Sequence, residues 1–186
     1  MNDDRTLIDR ALQGDSAAFG QLVRRYQDRL FTGLMHMVSS REEAEDVVQD
    51  TFVRAYEKLH AFRQDSSFYT WLYRIAVNTA LYRQRQRRPE LAGESNQLGV
   101  EPSDPTGNPS EHLLRAERAR DVRQALSQLA EEFRMVLVMR DVEGFDYQTI
   151  ARILDISVGT VRSRLHRARS NMRELLRQHY QGSRPD

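Results

Sequence analysis

Four side chains in the stretch "VGTVRSRLHRARSNM", residues 158 to 172, have the types and spacing to read the edge of a base pair. Arg162, Ser163, His166 and Arg167 fall together on one face if the stretch is helical, with Gly159 and Ser170 beside them. A guanidinium can fork onto a guanine edge, and hydroxyl and imidazole groups can both donate and accept hydrogen bonds. Arg164, Arg169 and Arg173 flank this face and suit phosphates, which add salt-dependent affinity rather than sequence information. The chemistry implied is recognition of DNA. The alternative is the basic solvated face of an ordinary packed helix.

The opposite face bears on that choice. Val161, Leu165, Ala168, Met172 and Leu175 recur at helical spacing, so the segment packs against something. Upstream, "YQTIARIL" offers Ile150, Ala151 and Leu154 as the buried side of a shorter helix. Between them lies "DIS": Asp155 tolerates a turn, Ile156 fills the corner and Ser157 can cap the following helix. Two helices so joined form a helix-turn-helix, whose second member enters the major groove.

Two further constellations lie nearer the N-terminus. In "FYTWLYRIAVNTALYRQRQRR", residues 68 to 88, Phe68, Leu72, Ile75, Ala76 and Thr79 make a core stripe. Tyr69, Tyr73, Arg74, Val77 and Asn78 then point elsewhere, and a run of arginines follows. Aromatic rings interleaved with arginine suit unstacked bases and their backbone. Read alone, the same pattern is also compatible with a helical core, Trp71 included. In "REEAEDVVQDTFVRAYEKLHAF", residues 41 to 62, the core stripe is Ala44, Val48, Thr51, Phe52, Ala55 and Leu59. Its outer face carries Asp46, Gln49, Asp50, Val53 and Glu57, either an acidic solvated face or a surface for a basic partner. Such a face repels DNA.

Bond-making chemistry finds little support. Glu57 and His60 have the Glu-x-x-His spacing of di-iron bundles, but the second copy such a site requires is missing. The sequence holds no phosphate-cradling glycine loop, no nucleophile motif and no cysteine. Neither an enzyme nor a cofactor or metal is expected.

These residues must be positioned by helices. Of 186 residues, 39% are hydrophobic and 30% charged, which fits a soluble, mostly helical chain. The Lys+Arg total is arginine throughout except Lys58. Net charge is only +1, yet it is segregated into the acidic 42 to 50 and the basic 83 to 88 and 162 to 177. The stretch "PELAGESNQLGVEPSDPTGNPS", residues 89 to 110, holds four of the five prolines and reads as a flexible linker. The expected architecture is all-α, with small helical domains at 1–88 and 111–178 and a tail at 179–186. In the first domain, Phe19, Leu22, Val23, Tyr26, Leu30 and Leu34 mark a helix capped at Asp15 or Ser16. The acidic "MNDDRTLIDR" lacks the order of a signal peptide, and no apolar run approaches the roughly 20 residues that span a bilayer. A cytoplasmic protein without membrane insertion is expected.

In their order, "AEDVVQDTFVRAY", "FRQDSSFYTWLYRIAVNTA" and "VGTVRSRLHRAR" resemble the extracytoplasmic-function sigma factors of bacterial RNA polymerase over nearly the whole chain, the envelope-stress branch in particular. The resemblance implies sigma regions 2 and 4, with core RNA polymerase, promoter DNA and a membrane-bound anti-sigma factor as partners. It places Asp46, Gln49, Asp50 and Val53 against the clamp helices of the largest polymerase subunit. It places Phe62, Asp65, Ser66, Tyr69, Trp71 and Asn78 on the flipped base of the −10 element, with Arg74, Arg85, Arg87 and Arg88 near phosphates. Thr160, Arg162, Ser163, Arg164, His166, Arg167 and Arg169 are implied for the −35 element. A helix at 121–141, with Leu129, Phe133, Val136 and Leu137, would complete the second domain and help bind the polymerase flap. The chain departs from the family pattern at Gln64, where relatives often carry Gly, at Tyr82, often polar, at Ser157, often Pro, and at His166, often a bulky apolar residue. A plain helix-turn-helix regulator or a protein-binding adaptor would leave part of this constellation idle.

Overall fold

The computed structural model describes residues 3–87 and 109–182. They form helices joined by short turns, and no strand occurs among the described residues. The chain divides into two compact units, 1–96 and 97–186. The expected linker at 89–110 lies outside the described residues except for its last two, which already belong to a helix; Arg88 and the last four residues of the tail also lie outside them.

The first unit contains α1 (Asp3–Leu12), α2 (Ser16–Met35), α3 (Arg41–Glu57), a 3-10 turn (Leu59–Ala61) and α4 (Phe68–Arg87). Sequence periodicity had not marked α1. It buries Leu7, Ile8 and Ala11 against α2, and its Asp4 accepts from the Tyr26 hydroxyl. Burial and this hydrogen bond push the Tyr26 hydroxyl up to about 12. Asp15 caps α2 by accepting from the Ala18 amide at 3.1 Å, and the Arg10 guanidinium beside it holds its carboxyl below the usual range. Ser40 caps α3 through the Glu43 amide at 3.1 Å, while Glu43 reaches back to the Ser39 amide at 3.1 Å. Two otherwise unpaired donors are satisfied in this reciprocal way. Ser67 caps α4 through the Thr70 amide.

Two details of the expected core differ. Val47, rather than Val48, is fully buried in α3. In α4 the buried set is Phe68, Leu72, Ala76 and Thr79 together with Tyr69, Tyr73 and Val77, so the helix is covered on more than one side. The physical reason is position: α4 packs against both α3 and α2, and a helix between two neighbours shows no single stripe.

The second unit contains α5 (Pro109–Gln128), α6 (Glu131–Leu137), a π-helical turn (Val138–Val142), α7 (Tyr147–Leu154) and α8 (Val158–Gly182). The single helix expected at 121–141 is two helices. Ala130 leaves helical geometry at φ −55°, ψ 140°, and the bend lets α5 and α6 both lie on α8. A straight rod could not follow that path. In the π turn the Glu143 amide reaches back five residues to the Val138 carbonyl at 3.0 Å, and Gly144 turns the chain at φ +76°. Asp146 caps α7 through the Thr149 amide at 2.7 Å, which lowers its carboxyl pKa. The buried face of α7 is Ile150, Ala151 and Ile153, with Leu154 half-buried. Asp155 ends α7 in the left-handed conformation at φ 54°, and Ser157 caps α8 through the Thr160 amide at 3.0 Å. Val161, Leu165 and Ala168 then lock α8 into the core.

Candidate nucleic-acid and partner interfaces

Alpha-helical geometry places three surfaces, two in the first unit and one in the second. On α3, Ala44, Val47, Thr51, Phe52 and Ala55 turn inward, which drives Asp46, Gln49, Asp50, Val53 and Glu57 outward. Val53 is 54% exposed, a branched apolar side chain in an acidic strip. The strip carries a cation that its own sequence does not show. Arg83 of α4 donates from Nη1 to Asp46 at 2.7 Å and from Nε and Nη2 to Asp50 at 2.9 and 2.7 Å. Burial pulls the Arg83 pKa down, but Asp50 and Asp46 outweigh it and the net shift is upward. The first arginine of the basic run therefore faces the acidic strip.

The loop between the 3-10 turn and α4 forms the second surface. Phe62 is half-buried in a cluster with Phe68 and Trp71, at ring separations of 5.8 and 5.1 Å. Asp65 is exposed and Ser66 half-buried. Trp71 is half-buried, while Arg74 and Asn78, one helical turn apart, are exposed on the outer side of α4. Arg85 is exposed, and the side chain of Arg87 lies outside the described residues. Tyr69 is different. It is 4% exposed, stacked on Tyr26 at 5.6 Å and covered by the Arg29 guanidinium at 3.9 Å. Its ring is packed against α2 and has no open face for a base in this conformation.

Gln64 stands at the crest of the loop with φ 59°. An L-residue in this region costs about 1–2 kcal/mol, whereas glycine enters it freely but loses more backbone entropy on folding. The balance predicts that Gln64→Gly raises the stability of the first unit by roughly 0.5–1 kcal/mol, as read by urea unfolding. A loss of stability would contradict the left-handed geometry.

The third surface is the start of α8. Arg162, His166 and Arg167 are exposed, and among the described residues none of them takes part in an ion pair. The Ser163 hydroxyl donates to the Thr160 carbonyl at 3.0 Å and can still accept. Thr160 is half-buried and shares the cap, its hydroxyl 2.8 Å from that of Ser157. Arg164 and Arg169, expected near phosphates, are ion-paired within the second unit. Arg164 pairs with Glu132 at 2.7 Å and Arg169 with Asp141 at 2.7 Å, fastening α8 to α6 and to the π turn. Such part-exposed pairs are worth at most about 1 kcal/mol, so either arginine can exchange its partner for a phosphate.

Beside that fastening lies an apolar groove of about 530 Å³, lined by Val122, Leu126, Leu137, Val138, Val142 and Met172. Leu129 and Val136 of the expected apolar set are buried and Phe133 is half-buried. The described residues contain no group of three potential metal-ligating side chains, and no helix among them is long and apolar enough to cross a membrane.

The sequence reading missed the pairing of Arg83 with the acidic strip, the Arg29 cover on Tyr69 and the acidic partners of α8. No sequence signal ties Arg83 to carboxylates 33 and 37 positions away.

Residues 22–90 match sigma-70 region 2, and residues 119–172 match sigma-70 region 4. An ECF RNA polymerase sigma-E factor of Haemophilus influenzae is 42% identical over 89% of this chain and 91% of its own. An RNA polymerase sigma-H factor of Pseudomonas aeruginosa is 39% identical over 93% of each chain. Among solved structures, CnrH in complex with the cytosolic domain of CnrY is 32% identical, with a TM-score of 0.69 over 95% of this chain and 99% of that one. The sigma factor RpoE in complex with the anti-sigma factor NepR from Bartonella quintana is 26% identical, with a TM-score of 0.72 over 86% and 96%. Helices α2 to α4 thus carry region 2 and α5 to α8 carry region 4, and the chain belongs to the extracytoplasmic-function sigma factors of RNA polymerase.

Proposed function

We propose that the protein, as a sigma factor that directs promoter-specific initiation by core RNA polymerase, divides the work among its three surfaces. The outer face of α3, with Asp46, Gln49, Asp50 and Val53, docks on the clamp helices of the largest polymerase subunit. Carboxylates around an exposed apolar side chain suit a basic helix, with Val53 as the desolvated centre. The loop and outer side of α4 melt and read the −10 element. There Phe62, Asp65, Ser66 and Trp71 receive the extruded base, Asn78 lies alongside, and Arg74, Arg85, Arg87 and Arg88 follow the backbone. Stacking returns about 1–3 kcal/mol per base, comparable to what extrusion from the duplex takes. Tyr69, packed against α2, stands apart from them.

The start of α8 reads the −35 element through Arg162, Ser163, His166 and Arg167, with Thr160 holding the helix end and Arg164 and Arg169 turning to phosphates. The groove beside the π turn accepts the polymerase flap. The protein works in the cytoplasm, is not itself an enzyme and needs no cofactor. A membrane-bound anti-sigma factor restrains it until an envelope stress releases it, in keeping with the sigma-E names of its relatives and the anti-sigma complex of one structural neighbour.

One observation carries this reading: an acidic strip around the exposed Val53, a loop with an aromatic cluster, and a helix start whose exposed Arg162, His166 and Arg167 make no ion pair among the described residues occur in one chain, in that order. Run-off transcription from a genomic promoter library, with core polymerase alone and with the protein added, tests it. New start sites should appear only with the protein and share two spaced elements. Direct duplex binding without new starts would leave an ordinary helix-turn-helix regulator.

A further inference from the structure

We infer that Arg83 is a positioning residue for polymerase docking: it holds Asp46 and Asp50 in one orientation, so that their two outer oxygens together receive a cationic side chain of the polymerase. The inference rests on the docking role proposed for α3. Its basis is the way the guanidinium divides its bonds. Nη1 goes to Asp46 Oδ2 at 2.7 Å, while Nε and Nη2 both go to Asp50 Oδ2 at 2.9 and 2.7 Å. Among the described residues no donor reaches Oδ1 of either aspartate. Both carboxylates nevertheless remain open to solvent, with side-chain exposures of 51% for Asp46 and 38% for Asp50.

Alone, two aspartates four positions apart on a helix repel each other and turn independently. Arg83 is only 27% exposed and three hydrogen bonds tie it from α4 to α3, so it is itself held in place. One guanidinium between two carboxylates leaves a local charge of minus one. The strip therefore still attracts a cation, and its acceptors are already oriented. An arginine guanidinium, with several donors in a fixed fork, suits a pair of carboxylate acceptors, and preorganised acceptors lose less freedom when it arrives. Among the described residues Arg83, unlike the exposed Arg85, is thus engaged by the acidic strip.

Equilibrium binding of the full chain to core polymerase tests this, with thermal unfolding followed in parallel. Arg83→Ala should weaken binding about fivefold, the equivalent of roughly 1 kcal/mol, and Arg83→Lys should recover part of that loss. In an Asp46→Asn/Asp50→Asn background, itself weakened, Arg83→Ala should add nothing. A purely structural role would instead lower the unfolding temperature and weaken binding equally in both backgrounds, and that result overturns the inference. Unchanged or tighter binding by Arg83→Ala, with the double asparagine variant weakened, overturns it and leaves the docking role standing. Unchanged binding by the double asparagine variant overturns the docking role itself, and the inference with it.

Discussion

Replacing Asp50 by arginine is expected to weaken core polymerase binding by about 2–4 kcal/mol, roughly 30- to 1,000-fold, while the protein stays folded. The size follows from reversing a charge at the middle of the proposed docking strip. Asp50 is bracketed by Asp46, Gln49 and Val53, and it accepts two of the three hydrogen bonds that Arg83 gives to the strip. An arginine at position 50 faces Arg83 with the same sign, releases Asp46 from its orientation and meets the incoming basic helix with repulsion. Folding should tolerate the change because α3 is held by Ala44, Val47, Thr51, Phe52 and Ala55, all on the other side. The ion pair that is lost is part-exposed and worth at most about 1 kcal/mol. Titration of labelled protein with core polymerase, beside a thermal melt, measures both halves. Unchanged affinity in a folded variant would remove the acidic strip from the interface.

The same helix shows how far the sequence could be read. Placing α3 needed only its stripe of small and apolar residues. The one-residue difference between Val48 and Val47 arose because both lie at the edge of the buried arc, and the packing of α2 and α4 decides which is covered. Alpha-4 was harder. Its apolar residues surround the helix, so periodicity alone directed Tyr69 outward, and only the arrival of Tyr26 and Arg29 from α2 shows why it is buried. The turn between α7 and α8 was legible residue by residue, since Asp155 and Ser157 act through local backbone geometry. The break at Ala130 was not, because nothing in "SQLAEEF" breaks a helix by itself; the bend is imposed by α8, which both flanking helices must reach. Ion pairs between distant segments lie furthest from sequence. Arg162 and Arg164 look alike in the string "RSR", yet one is open and the other is fastened to Glu132.

That difference makes Arg162 the sharper probe of promoter reading. Arg162→Ala should lower transcription from a cognate promoter by about 1–3 kcal/mol in recognition, roughly 5- to 150-fold, and should lower it little further where the −35 element is already scrambled. The exposed side chain has no ion-pair partner among the described residues, and exposed substitutions of this kind stay within about 0.5 kcal/mol in stability. Core polymerase binding should also persist, because α3 lies in the other unit. Arg164→Ala and Arg169→Ala provide the contrast. Each should weaken binding on intact and scrambled promoters alike and make it less steeply dependent on salt, as loss of a phosphate contact does. If Arg162→Ala behaves in that way too, α8 holds the backbone at position 162 rather than a base. The specificity of the −35 contact would then shift to Ser163, His166 and Arg167, and a double substitution of His166 and Arg167 to alanine would have to show the selective loss that Arg162 did not.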